Sequence, residues 1–111
     1  MTADLILLKS DTLGDANRDL GAVLMEVFLR NLAQREDLPK CMVLLNAAVH
    51  LAAADSPVLE HLKKLEARGV EIVCCRTCVD YFQIQDRIAV GQIDGMVGIL
   101  GRLSNSTVLS L

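Results

Sequence analysis

The stretch Val70-Glu71-Ile72-Val73-Cys74-Cys75-Arg76-Thr77-Cys78-Val79-Asp80-Tyr81-Phe82 decides how this chain is read. A short apolar run ends in three cysteines crowded together, and a helix start follows at once. Val70 to Cys74 is the expected strand, and Thr77 and Asp80 have the spacing of a capping box for a helix reaching Gln85. A thiol in that turn lies at the carboxyl end of a strand, where open α/β sheets place their ligands. Cys78 falls in the first helical turn, where backbone amides favour a thiolate.

Outward from there the chain alternates. Leu5-Ile6-Leu7-Leu8 reads as a buried strand, since it lacks polar alternation and Ser10-Asp11-Thr12 bounds it. A helix follows with Leu20, Val23, Leu24, Val27, Phe28 and Leu32 at the helical period, ending before Pro39. Met42-Val43-Leu44-Leu45 is a second strand. Ala47 to Ala54, small and apolar around His50, is a connection or a helical turn. Ser56 and Pro57 open a helix as N-cap and first residue; Val58, Leu62 and Leu65 share its face, and Gly69 ends it. Ile88-Ala89-Val90 is the expected fourth strand, Asp94 caps a last helix holding Met96, Val97, Ile99 and Leu100, and Thr107 to Leu111 is a terminal strand. This order predicts one α/β domain over residues 1–111, three-layer α/β/α, with a mostly parallel five-stranded sheet. The loops at the strands' carboxyl ends then converge, and the cysteines are expected to face the polar loop Ser10 to Asn17 and His50.

Composition narrows the function classes. The 111 residues are 52% apolar but only 3% aromatic, so the core is aliphatic and apolar surface is left over for self-association. A net charge of −3 and a pI near 5.2, without a basic patch, argue against nucleic acid or an anionic membrane as partner. No apolar run has the length of a membrane span, and no basic segment precedes Leu5 as in a signal peptide. A cytoplasmic location is expected, where the four cysteines stay reduced.

Several segments together resemble the DsrE/DsrF-like sulfur-relay family, and most closely the C-terminal domain of YedF-type selenium-metabolism proteins. They are Ser10-Asp11-Thr12-Leu13-Gly14, Asp19-Leu20-Gly21 with Leu24-Met25 and Phe28-Leu29, Leu45-Asn46 with Val49 and Leu51, and Leu65-Glu66 with Gly69-Val70-Glu71-Ile72. Most specific is Cys75-Arg76-Thr77-Cys78-Val79-Asp80-Tyr81 followed by Ala89-Val90-Gly91. The resemblance is nearly end to end and implies a DsrE/F-like fold. It implies a persulfide on Cys75, carrying sulfane sulfur or selenium to a partner, and a second thiol typical of the YedF-like branch at Cys78. It implies sulfur donor and acceptor proteins as partners, a TusA-like protein among the candidates, and a homotrimer or homohexamer. Two residues depart from the pattern: Arg76 stands where a small residue is expected, and Cys74 is extra. YedF-type proteins also carry an N-terminal TusA-like domain; this chain is either a stand-alone version or an excised domain.

The candidate site residues are therefore Cys75 and Cys78 for the chemistry, with Ser10, Asp11, Asn46, His50 and Arg76 for substrate or partner binding. Cys75 is the expected carrier, with its thiolate favoured by helix amides and Arg76; Cys78 shares the persulfide, forms a reversible disulfide, or simply packs. Cys74 points to the opposite face of its strand and is read as core; Cys41 is read as structural. His50 is a packed residue or a proton carrier near Cys75, and His61 is expected in solvent. Ser10-Asp11-Thr12 makes turn hydrogen bonds or meets a partner. No metal is expected, because zinc takes about four ligands and only one suitable cysteine pair exists, and no cofactor is implied. Gly14 to Gly21 lacks the Lys-Ser/Thr of a phosphate loop. Two rival functions remain, a non-catalytic interaction module and a dithiol redox protein using Cys75 and Cys78.

Overall fold

A computed structural model describes residues 1–111 and resolves the alternation into β1 (Leu5–Leu8), α1 (Arg18–Leu32), β2 (Cys41–Leu44), α2 (Leu59–Ala67), β3 (Glu71–Cys75), α3 (Arg76–Phe82), β4 (Gln92–Asp94), α4 (Met96–Ser104) and β5 (Val108–Ser110). A 3-10 segment over Asn46–Ala52 follows β2, and a 3-10 turn over Gln85–Arg87 follows α3. The sheet runs in the order β4-β3-β2-β1-β5, and all four pairings are parallel. The class is α/β, as the strand–helix alternation predicts. No helix is long and apolar enough to cross a membrane.

This order fixes the layers. From β1 to β4 the chain advances in one direction, so right-handed crossovers place α1, α2 and α3 on the same face. It then returns to pair β5 with β1, and the reversed step puts α4 on the other face. The cores follow suit. Ile6, Leu8, Met42, Leu44, Ile72 and Cys74 pack with Met25, Leu29, Leu62, Leu65 and Val79. On the opposite face Leu5, Cys41, Val43, Val73 and Cys75 meet only Ile99 as a fully buried helix residue.

Four local readings need correction. The fourth strand is Gln92–Asp94; Ile88 instead forms an antiparallel bridge to Ala53, and the Ala89 N–H donates to the Ala52 carbonyl. The second helix starts at Leu59, because the Ser56 hydroxyl accepts the Val58 N–H and closes a turn before the helix rather than capping it. α3 begins at Arg76 with Cys75 at its N-cap, so Thr77 lies inside it, while Asp80 accepts from Gln85 Nε2 at 2.8 Å. The buried face of α1 is Gly21, Met25, Leu29 and Leu32, whereas Leu20, Val23 and Leu24 are exposed. The cause is Gly21. A Cβ there would lie 2.8 Å from Thr12 Cβ and 3.0 Å from the Gly14 carbonyl, so only glycine lets the helix press on the loop after β1.

α2 otherwise follows its pattern, with Val58, Leu62 and Leu65 buried and Gly69, at φ +95°, closing the C-terminus. The carboxylate of Asp94 accepts the N–H of Gly95, the N-cap residue of α4. His61 is not free in solvent: it is half-buried, with Nε2 3.2 Å from Glu26 Oε1, and links α2 to α1.

Candidate functional site

Parallel strands carry their following residues to one edge of the sheet, and here that edge holds the thiols. Lys9 follows β1, Leu45 and Asn46 follow β2, Cys75 ends β3 with Thr77 and Cys78 just beyond, and Met96 follows β4. Together these residues line an open cleft of about 410 Å³. A second cleft of about 380 Å³ shares Asn46, Thr77 and Cys78 with it and is closed by Tyr81 and Phe82. Cys78 lies between the two.

The four thiols have different environments. Strand alternation turns Cys74 into the core beneath α1, α2 and α3, and Cys75 toward α4. Cys75 borders the Lys9 cleft yet is only 1% exposed. Cys78 is half-buried and is the thiol that solvent reaches. Burial pushes the Cys74 thiol up to about 12, with the Cys75 and Glu66 charges adding to the rise. Cys41 also rises to about 12, through burial and then its hydrogen bond to Glu71. Both remain neutral thiols at physiological pH.

Asn46 sets the surroundings of Cys78. Its backbone takes φ +54°, a left-handed conformation that asparagine tolerates better than most residues. In that conformation its N–H points at Cys78 Sγ, 3.1 Å away. Burial nevertheless lifts the Cys78 thiol above its ordinary value; the Asn46 N–H pulls it back, and the neighbouring Cys75 thiol adds to the rise. The thiolate-favouring environment expected of the first helical turn is thus outweighed at Cys78 by loss of water.

The other candidates divide into separate places. Asp11 and His50 line a polar cavity of about 290 Å³ with Thr12, Arg18, Asp19 and Ser56, and no cysteine borders it. Phe82 stands between this cavity and the thiols, its ring 4.4 Å from the His50 ring. The Ser10 hydroxyl contacts Asp11 and Thr12, and Arg18 grips the Asp11 carboxylate at 2.9 and 3.1 Å. Arg76 is exposed, with a long 3.5 Å contact from Nη2 to the Ile93 carbonyl, and it borders neither thiol cleft. The residue that sequence reading missed is Lys9. It carries no local signal; only the register of β1 beside β2 and β3 brings it to the cleft. The largest depression, about 560 Å³ beside α1, is lined by Met1, Val27, Phe28, Asn31, Leu32 and Arg35 and holds no thiol.

Known structures share this architecture. The ychN protein from E. coli superposes with a TM-score of 0.73 at 17% identity, over 97% of this chain and 98% of that one. The fold is DsrE-like. A protein of unknown function from Methanobacterium thermoautotrophicum, MTH1491, gives 0.68 at 18% identity over 96% of each chain. BT1422 from Bacteroides thetaiotaomicron, a conserved protein of unknown function, gives 0.66 at 21% identity, over 96% of this chain and 93% of that one. No protein-family model and no curated protein matches the sequence.

Proposed function

We propose that this DsrE-like domain is a cytoplasmic sulfur-relay protein of the YedF-like kind, with Cys78 as the thiol that meets the donor and Cys75 as the sheltered carrier behind it. One observation carries the reading: a half-buried thiol stands in an open cleft at the strands' carboxyl ends, with a second thiol beside it that solvent does not reach. Sulfur transfer needs both accessibility for loading and protection during storage. The Cys78 sulfur, after losing its proton, attacks the terminal sulfur of a donor persulfide. The donor's S–S bond breaks, and the donor leaves as a thiolate that takes up a proton. Cys75 then attacks the terminal sulfur of the Cys78 persulfide in the same way, and a partner protein removes it. Sulfane selenium follows the same steps. Leu20, Val23 and Leu24 on α1, with Val97 and Leu100 on α4, leave apolar surface that supports association of several copies.

The proximity of the two thiols also favours a second reading, a dithiol redox protein. Intact-protein mass spectrometry after exposure to a sulfane-sulfur donor separates them. The relay predicts a reductant-labile gain of one sulfur atom, lost in Cys78→Ala and, in Cys75→Ala, held on Cys78 without moving on. A dithiol cycle predicts loss of two hydrogens with no retained sulfur. Folded protein whose free thiols gain no sulfur at all overturns the relay.

A further inference from the structure

The cleft that holds both thiols has one formally charged side chain on its wall, and the charge is positive. Lys9 takes part in none of the chain's ion pairs. The acid nearest in sequence, Asp11, is held by Arg18 and faces the other cavity. The aromatic cleft on the far side of Cys78 has no charged wall residue. The two approaches to one thiol therefore differ in electrostatic character, and only the Lys9 side attracts an anion.

We propose that Lys9 makes this cleft a binding site for anionic sulfane sulfur, a terminal sulfur on a negatively charged carrier such as thiosulfate or a persulfide anion, and presents it to Cys78. The inference rests on the relay reading and adds the class of donor. With thiosulfate the step balances without an oxidant or reductant. The Cys78 thiol gives up its proton and its sulfur attacks the outer sulfur of thiosulfate. The S–S bond breaks and its electron pair leaves with sulfite, which takes up a proton. A Cys78 persulfide and hydrogen sulfite result. The Thr77 hydroxyl and the Asn46 amide, on the same wall, are the hydrogen-bonding groups available to the oxygens or to the leaving sulfur.

The test has two arms, run on wild type, Lys9→Met and Lys9→Arg. In the first, Cys78 is alkylated with iodoacetate, an anion, and with uncharged iodoacetamide, which reads the field at the thiol whether or not the protein relays sulfur. The iodoacetate-to-iodoacetamide rate ratio is expected to fall about five-fold in Lys9→Met, to persist in Lys9→Arg and to shrink with added salt. In the second, sulfur loading is followed by mass with thiosulfate, a persulfidated glutathione and uncharged dimethyl trisulfide. Lys9→Met should slow the two anionic donors and spare the trisulfide. Faster loading by thiosulfate identifies a free anion as the source, and faster loading by the glutathione persulfide a thiol carrier. Loading that proceeds but ignores Lys9, or an unchanged alkylation ratio, overturns the Lys9 assignment alone. Absence of loading from every donor overturns the relay reading and the donor assignment together.

Discussion

Replacing Arg102 by methionine should open the Cys75 face of the sheet without unfolding the opposite face. α4 is the only helix on that face, and Ile99 is its one buried side chain. Gly98 and Gly101 each weaken a helix by about 1 kcal/mol relative to alanine. Arg102 holds the helix down: Nε and Nη2 donate to the Glu71 carboxylate at 2.9 and 3.1 Å, and Nη1 to Asp94 Oδ2 at 2.6 Å. Charge-assisted forks are strong when dry, but Glu71 and Asp94 keep 40% and 37% of their side-chain surface in water. Discounted for that exposure, the Glu71 pair contributes about 1 kcal/mol, and the Asp94 contact adds direction more than energy. Methionine keeps the aliphatic stem and removes the charge, so α4 should open about five-fold more often.

Native-state alkylation, read cysteine by cysteine in the mass spectrometer, measures this. Cys75 and Cys41 lie under α4 and should react about five-fold faster in the variant if reaction follows opening, while Cys74, under α1, α2 and α3, keeps its rate. Equal acceleration of Cys74 and Cys75 would mean global unfolding, and no acceleration of Cys75 would mean that Arg102 does not hold the helix; either refutes the reasoning. Acid gives an independent check. The Arg102 guanidinium holds the Glu71 and Asp94 carboxyls below their ordinary range, so their contribution is present above that range and is lost as pH falls through the folded values. Cys75 should therefore become more reactive, relative to Cys78, on acidification of wild type, and the trend should flatten in Arg102→Met.

Three further outcomes are expected. Iodoacetamide should modify Cys78 well before Cys75 in the native protein, with a pH–rate midpoint for Cys78 above that of a free thiol, checked by peptide mapping across pH. Cys41 and Cys74, both pushed up to about 12, contribute stability that is complete below the unfolded thiol value and is lost as pH rises toward their folded values. Urea midpoints should accordingly fall from about pH 8 to about pH 10, less steeply in Cys74→Ala, and a flat profile would contradict the assignment. Gly21→Ala should destabilise by roughly 2 kcal/mol from overpacking on Thr12 and Gly14, against the gain of about 1 kcal/mol that alanine brings to a free helix. A rise in Tm for that variant would show that the loop yields instead.

The alternation of strands and helices is legible because β1 and β2, and β3 after Glu71, lie in the core on both faces and read as apolar runs. β4 escapes because it is an edge strand: Gln92 and Asp94 flank a single apolar residue, while the more strand-like Ile88-Ala89-Val90 spends its hydrogen bonds on the Ala52–Ala53 segment. The misread face of α1 has a different cause. The helix carries two adjacent apolar stripes, and periodicity scores the one through Leu20, Val23 and Leu24 as well as the one through Met25 and Leu29. What decides between them is contact with a loop far from the stripe itself, made possible by a missing side chain at Gly21.

The site divides along the same line between local and non-local information. Cys75 and Cys78 announce themselves by spacing, and Asn46 by its place after a strand. Joining Asp11 and His50 to them assumes that loops at one end of a sheet share one cavity. Phe82 separates the two sets instead, a consequence of α3 packing against the 3-10 segment that carries His50. Lys9 shows the converse, since a single lysine after a strand has no pattern to detect. It enters the cleft because the carboxyl ends of β1, β2, β3 and β4 lie side by side in a parallel sheet, each contributing the residues that follow it. Its charge matters there because Arg18 has already taken the nearest carboxylate in sequence. Reversing that arrangement tests the point from the other side: in Arg18→Ala the freed Asp11 can turn toward Lys9, and the iodoacetate preference at Cys78 should fall although no residue lining the cleft has changed. A preference that persists would mean that Asp11 stays in its own cavity without its partner, held by Ser10 and the loop rather than by the ion pair.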